Sequence, residues 1–249
     1  MQIDLKTQNM QAFIPAAGLG TRLKPLTDHR PKALVEVQGK TLLEIAITNL
    51  IRQGATRIVI NIHHFADMMC DYISSHSWDA EVLISDERDQ LLDTGGGLKK
   101  AEHLFLKNEP IIIHNVDVLS HLDLASIISE HNDSMSIATL CVSERETSRY
   151  LLFDKDKELK GWTNTKTGEL LWVDNPIQNT NSLAFSGISI IEPSILGMLP
   201  EPDKPYPIIP CYLRIAKNHR INAFIHQKED WIDVGKPETI TQAQKWKLF

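Results

Sequence analysis

The stretch Ala16-Ala17-Gly18-Leu19-Gly20-Thr21-Arg22-Leu23-Lys24-Pro25-Leu26-Thr27, followed by Pro31-Lys32, constrains this chain more than any other. It begins where the apolar run Met10-Gln11-Ala12-Phe13-Ile14 ends, so the pattern predicts a strand feeding a glycine-rich turn. Glycines without a Cβ let backbone N–H groups close on a phosphate, and Arg22 and Lys32 supply the charge to neutralise it. No Gly-Lys-Ser/Thr ends the loop and no third glycine follows at dinucleotide spacing, so neither common phosphate motif fits. A bare Gly-x-Gly reads equally as a structural turn. The added Thr21-Arg22, Pro25-Leu26-Thr27 and Pro31-Lys32 favour a triphosphate cradle.

The rest of the chain alternates strand and helix. Thr41 starts a predicted helix to about Gln53, with Leu42, Leu43, Ile45, Ala46, Leu50 and Ile51 on one face and Gly54 ending it. Leu34–Val37, Ile58–Ile62, Glu81–Ser85 and Ile137–Val142 read as strands, Pro110–Asp117 as a hydrophobic strand ending in a polar cluster, and Ala66–Ser75 as a helix. This order implies a doubly wound α/β fold, a mostly parallel, Rossmann-like sheet covered on both faces by helices, with ligands at the strand C-termini. Three glycines, Gly95-Gly96-Gly97, precede a predicted helix from Leu98 to Phe105. From Tyr150 to Ile191 the pattern turns hairpin-like, predicting a small antiparallel insertion, and a helix is expected over Pro207–Lys217. No repeat or linker divides residues 10–249, read as one domain after a loose extension over residues 1–9.

Composition closes off several function classes. Lys and Arg number 26 against 32 Asp and Glu, a net charge of −6 without a basic block, so no nucleic-acid partner is expected. The three cysteines, Cys70, Cys141 and Cys211, are scattered, which fits a reducing cytoplasm better than a disulfide framework. No apolar run approaches about 18 residues, so no membrane span is expected. His63-His64 and His114 end apolar strands without a third partner at ligand spacing, and are read as structural. Trp162, Trp172 and Trp231 are read as core or pocket wall.

Gly18-Leu19-Gly20-Thr21-Arg22, with Pro25-Leu26-Thr27 and Pro31-Lys32, resembles the signature of the sugar-nucleotide pyrophosphorylases, the nucleoside-diphosphate-sugar nucleotidyltransferases. The likeness extends to about Thr241. It implies transfer of a nucleotidyl group from a nucleoside triphosphate to a sugar 1-phosphate, with Mg²⁺ as cofactor. In such a reaction both partners are anionic, so charge neutralisation and alignment are the catalyst's main tasks. The resemblance implies Arg22 and Lys32 as catalytic phosphate-binding cations and Asp117 and Asp233 as metal ligands, each after a hydrophobic strand. It implies Ala17, Gly18, Gly20, Thr21, Gly95, Gly96 and Gly97 on the nucleotide, the last three packing against the base. Asn115, Asn175, Ser186 and Gly187 fall on the sugar-phosphate side.

The chain departs from this family at three places. Asp93 stands where relatives have a glycine, Val116 where they have glycine before the metal aspartate, and Asn175 where many have a lysine for the sugar phosphate. The Asp93–Leu98 variant is similar to that of short N-acetylmuramate-1-phosphate uridylyltransferases, which leans the base toward uracil. A mannose or heptose guanylyltransferase and a cytidylyltransferase are the alternatives. A non-catalytic nucleotide-sugar sensor is the reading from another class, motivated by Val116 and Asn175. The chain ends shortly after Asp233, so neither a left-handed β-helix nor an acetyltransferase domain is expected.

Overall fold

The computed structural model describes residues 10–248, and the expected extension over residues 1–9 lies outside the described residues. The first half holds β1 (Met10–Pro15), β2 (Glu36–Val37), β3 (Lys40–Thr41), α1 (Leu42–Arg52), β4 (Ala55–Ile62), α2 (Ala66–Ser74), β5 (Glu81–Asp86) and α3 (Asp93–Lys100). Next come β6 (Ile111–His114), β7 (Val118–Ser120), α4 (Leu124–Ser134), β8 (Ala138–Ser143), β9 (Arg149–Phe153), β10 (Leu159–Asn164) and β11 (Glu169–Trp172). The chain closes with β12 (Asn181–Ile191), α5 (Ile208–Ile215), β13 (Ile221–Ile225), β14 (Trp231–Asp233) and α6 (Pro237–Ala243).

One ten-stranded sheet carries the order β11-β10-β9-β12-β6-β1-β4-β5, with β8 paired to β12 and β13 to β8. The pairs β1·β4, β1·β6, β4·β5 and β8·β13 are parallel. Alternation along β1 and β4 then assigns two cores. Ala12, Ile14, Ile58, Ile60 and Ile62 face one layer with α1, α2 and α4. Phe13 and Val59 face the other, with Leu98 of α3 and Tyr212 of α5. Both faces of the sheet are thus covered, as βαβ crossovers require.

Helix α1 starts as its sequence dictates. Thr41 Oγ1 accepts from the Glu44 N–H at 3.0 Å, a cap of the kind that contributes about 1 kcal/mol. Gly54, at φ +101°, follows the helix end. The segment Leu34–Val37 departs from its expected single strand. Only Glu36–Val37 forms a strand, and it pairs with β3 in a separate two-stranded hairpin after a 3₁₀ turn over Lys32–Leu34.

The glycine triplet is also corrected. Gly95, Gly96 and Gly97 do not precede a helix; they lie inside α3, which ends at Lys100 before a 3₁₀ turn over Glu102–Leu104. Glycine is an unfavourable helix residue by about 1 kcal/mol, so packing must compensate. A Cβ on Gly95 would sit 2.6 Å from the Tyr206 ring, and one on Gly97 only 2.6 Å from Asn61 Nδ2. The helix uses glycine because its neighbours approach too closely for anything larger.

The antiparallel half is continuous with the main sheet. The eleven-residue β12 bonds β6 and β8 through its C-terminal part and β9 through its N-terminal part, so β9–β11 extend the sheet edge. Among the described residues, no helix is long and apolar enough to cross a membrane.

Candidate active site

The loop after β1 forms the floor of the site. Ala16 and Ala17 are buried, and their N–H groups donate to Asn61 Oδ1 at 2.6 and 3.2 Å. The N–H groups of Gly18, Leu19 and Gly20 have no protein acceptor among the described residues, and Gly18 is exposed. Gly20 sits at φ +64°, a conformation that glycine adopts without strain. Its carbonyl accepts from Thr27 Oγ1 at 3.0 Å, which ties the loop back on itself. Thr21 and Arg22, both exposed, begin the 3₁₀ turn that follows.

Asn61 anchors this loop to the far wall. Its Nδ2 donates to Glu87 Oε1 at 2.7 Å, and Glu87 Oε2 accepts the Leu92 N–H at 3.0 Å. Glu87 is fully buried. Burial pushes its carboxyl above the ordinary glutamate range, opposed by the Asn61 and Leu92 hydrogen bonds. Sequence reading missed both residues. The one available signal was a polar side chain, Asn61, near the C-terminal end of an apolar strand, where ligands and their supports collect.

Helix α3 presents its first residues to the resulting cleft. A cavity of about 350 Å³ is lined by Ala16–Gly18, Arg22, Lys32, Asn61, Asp93, Thr94, Asn115, Val116, Asp117 and the apolar Pro15, Leu91 and Pro205. Gly95, Gly96 and Gly97 are buried and do not line it. The Gly95 and Gly96 N–H groups both donate to the Tyr206 carbonyl, at 3.0 and 3.3 Å, so neither is free to read a base. Asp93 stands at φ +61°, the left-handed conformation that a glycine there would favour and that aspartate tolerates better than most side chains.

The charged residues converge on Gly235. A Cβ built there would lie 2.5 Å from Asp233 Oδ1, 2.9 Å from Arg22 Nη2 and 3.1 Å from Asp117 Oδ2. Asp117 follows β6, Asp233 ends β14, and the β7·β14 pairing with the Val234 N–H to Asp117 carbonyl bond of 2.8 Å holds the two segments together. Lys32 Nζ donates to Asp117 Oδ2. Burial and then the Asp117 charge push the Asp233 carboxyl above the ordinary aspartate range, while the Gly235 N–H, Lys32 and Arg22 pull it back. Asp117 and Asp233 could hold a divalent cation. Among the described residues no group of three or more His, Cys, Asp or Glu gathers, so protein donors would be few.

The residues expected on the sugar-phosphate side separate. Asn115 lines the cleft, and its N–H donates to the Gly187 carbonyl at 2.9 Å. Gly187, at φ +73°, has no room for a Cβ beside Asn115 Nδ2, 2.6 Å away. Ser186 turns inward instead, fully buried and bonded to His226 Nε2 at 2.8 Å. Asn175 lies on the exposed segment 174–179 and bonds Asp174, at 3.4 Å. Val116 is buried in the core while touching the cleft. His114 is buried, and burial lowers it to about 4, so it stays neutral.

The nucleotidyl transferase family model matches residues 11–248. The chain belongs to the nucleotidyl transferase family. It is 32% identical over 243 residues to an N-acetylmuramate alpha-1-phosphate uridylyltransferase of Caulobacter vibrioides, covering 94% of this chain and 95% of that protein. A mannose-1-phosphate guanylyltransferase catalytic subunit beta of Dictyostelium discoideum is 27% identical over 235 residues, of which this chain spans 62% of the length. The fold superposes on a UDP-glucose pyrophosphorylase complexed with UDP-glucose, with a TM-score of 0.75 and 19% identity over 95% of this chain and 97% of that one. HddC from Yersinia pseudotuberculosis, complexed with GMP-PN, gives a TM-score of 0.74 at 23% identity over 95% and 98%.

The Asn61–Glu87 brace gives a stability prediction for this nucleotidyltransferase. Gly97→Ala gains about 1 kcal/mol of helix propensity. Its Cβ would lie 2.4 Å from Glu87 Oε1, displacing a buried pair at about 1–3 kcal/mol for each group left unsatisfied. Urea denaturation is expected to show net destabilisation of about 2 kcal/mol for Gly97→Ala. Gly18→Ala, where a Cβ meets nothing within 4 Å, is the control and is expected to change stability by less than about 0.5 kcal/mol.

Proposed function

We propose that this protein is a magnesium-dependent sugar-1-phosphate uridylyltransferase, taking UTP and a sugar 1-phosphate to a UDP-sugar and pyrophosphate. The observation that carries the reading is the convergence of Arg22, Asp117 and Asp233 on Gly235, with Lys32 bonded to Asp117, beside a cleft floored by loop N–H groups without a protein acceptor among the described residues. These groups serve one requirement, neutralising a triphosphate and an attacking phosphate while holding them in line.

In this reading the N–H groups of Gly18, Leu19 and Gly20 hold the triphosphate, and Arg22 reaches the oxygens of the α-phosphate and departing pyrophosphate with its fork of donors. Lys32 adds a point charge and orients Asp117 through their ion pair. An oxygen of the acceptor phosphate attacks the α-phosphorus, the bond to pyrophosphate breaks on the opposite side, and no proton need move because the nucleophile is already an anion. Asp117 and Asp233 fit Mg²⁺: two carboxylates face one space, their burial and mutual repulsion call for a cation, and Mg²⁺ needs only one or two protein carboxylates. When bound, that ion would neutralise phosphate charge and withdraw electrons from phosphorus. A cytoplasmic location accords with such substrates.

The uridylyl preference rests on the Caulobacter vibrioides relative, matched along nearly its whole length. Guanine is the second reading, and Asp93 is its support. Asp93 lines the cleft, and a carboxylate suits a base edge with two adjacent N–H donors.

Asp117→Asn and Asp233→Asn are each expected to lower turnover at saturating Mg²⁺ at least about 100-fold, since charge neutralisation acts mainly on the transition state. Near-normal turnover in a folded variant would remove that residue from the reaction. Arg22→Ala should cost about 3 kcal/mol in kcat/KM, with little recovered by Arg22→Lys because a point charge cannot reproduce the guanidinium fork. Pyrophosphate release from a set of nucleoside triphosphates tests base choice. UTP is expected to give the highest kcat/KM, and a higher value with GTP would reassign the base without touching the phosphate chemistry.

A further inference from the structure

His114 ends β6, buried, shortly before Asp117. Its Nδ1 lies 3.0 Å from the Asn115 carbonyl oxygen. A carbonyl only accepts, so Nδ1 must carry the proton and donate. The same carbonyl accepts the Val118 N–H at 3.1 Å. Two donors, one from before the turn and one closing it, thus hold the peptide that leads into Val116 and Asp117. The neighbouring bonds, Asn115 N–H to the Gly187 carbonyl and Val234 N–H to the Asp117 carbonyl, are all backbone. His114 supplies the side-chain member of this set.

The other ring nitrogen has a requirement of its own. Burial keeps the ring neutral, so with Nδ1 protonated Nε2 is an acceptor, and among the described residues no protein donor reaches it. A buried acceptor left unsatisfied is costly. His114 lines a pocket of about 10 Å³ with Asn49 of α1, Ser120 of β7, and Trp246 and Leu248 near the C-terminus. That is about the room one water needs. Donors for such a water are at hand. Gln53 Oε1 accepts the Leu124 N–H at 2.8 Å, so its Nε2 faces Asn49 Oδ1, at 3.3 Å, and the Asn49 N–H₂ is left over. Ser120 Oγ also has no hydrogen-bond partner among the described residues. The C-terminal segment covers the pocket and is itself pinned. Gln38 Nε2 donates to the Ala243 and Trp246 carbonyls at 2.9 and 2.6 Å, His121 Nε2 donates to the Lys247 carbonyl at 2.6 Å, and the His121 and Trp246 rings stack with centroids 4.6 Å apart.

We infer that His114 is a positioning residue for Asp117, holding the turn before that carboxylate through its Nδ1–H, with its Nε2 satisfied by a single water enclosed between β6, α1 and the C-terminal segment. The water accepts from Asn49 or Ser120 and donates to Nε2, which fixes the ring in the tautomer that the turn needs. The effect on Asp117 rests on the proposed transferase reading, whereas the tautomer and the water do not. The C-terminal segment thereby supports the catalytic centre without touching it, by closing the pocket behind the turn.

The test uses the full chain with ¹⁵N-labelled histidines. Long-range ¹H–¹⁵N spectra near neutral pH, with the His114 ring assigned by its loss in a variant, are expected to show Nδ1 protonated and Nε2 bare. A protonated Nε2 would overturn the inference. A crystal structure that resolves ordered water is expected to show one water bonded to Nε2 and to Asn49 or Ser120, and a direct protein partner at Nε2 instead would remove the water. Two variants then separate positioning from packing. His114→Asn places an amide where Nδ1 stood and should keep kcat within about threefold, whereas His114→Gln places one where Nε2 stood and should lower kcat about 10-fold. His114→Gln should also raise the Mg²⁺ concentration for half-maximal turnover, with the UTP KM within about threefold of that of the unmodified protein. Both variants disturb the core alike, so equal losses, or a larger loss in His114→Asn, would overturn the positioning role. If the unmodified protein turned over no sugar 1-phosphate with any nucleoside triphosphate, the transferase reading would fall and the positioning role with it, while the spectrum and the water would still stand or fail separately.

Discussion

Two carboxylates, Asp117 and Asp233, are placed beside one another with an arginine and a lysine closing the ring, and the rest of the site is arranged to keep them there. Like charges repel, and burial together with the Asp117 charge makes Asp233 harder to ionise. The β7·β14 pairing and the Val234-to-Asp117 backbone bond offset that repulsion by fixing the two segments in register. Lys32 and Arg22 add countercharge from a loop that is distant in sequence. A geometry that resists itself in the absence of a cation is what the proposed cation-dependent centre would require.

The loop that brings Arg22 to this point has its own brace. Asn61 receives two loop N–H groups, hands its amide to Glu87, and Glu87 receives the start of α3. This chain of bonds links β1, β4 and α3 at the sheet edge, so the floor and one wall of the cleft are tied to each other. The glycines of α3 belong to the same device. Gly97 leaves room for the Asn61–Glu87 pair, and Gly95 leaves room for Tyr206, whose carbonyl takes the helix's spare N–H groups. Asp93 occupies a left-handed position at the mouth of the cleft, so its substitution for glycine keeps the backbone conformation while adding charge.

Much of this was legible in the residues. Helix α1 could be read from Thr41 to Gly54 because cap, period and terminator are local signals. Asp117 could be placed at the ligand edge because it follows an apolar strand and the crossover rule fixes where that strand ends, whereas Asp233, on a strand outside the main sheet, was legible only from its Asp-x-Gly segment. What escaped was non-local. The glycine triplet looks like a break when propensity alone is weighed, yet a ring and a buried amide from elsewhere in the chain demand glycine within the helix. Glu87 is surrounded in sequence by charged, exposed residues and becomes the least exposed acid only through Asn61 and Leu92. Ser186 and Gly187 are adjacent, but the bulge in β12 turns the serine into the core and sets the glycine against Asn115.

Gly235 tests the central claim most directly, because it touches the converged groups without being one of them. A Cβ there would crowd Asp233, Arg22 and Asp117 together, and its backbone lies in no conformation that alanine resists. Single-turnover measurement on Gly235→Ala, with its melting temperature and UTP affinity measured alongside, is predicted to show turnover reduced at least about 100-fold with both controls near those of the unmodified protein. Turnover close to normal in that folded variant would contradict the account, since the charges would then not need to meet where the structure brings them together.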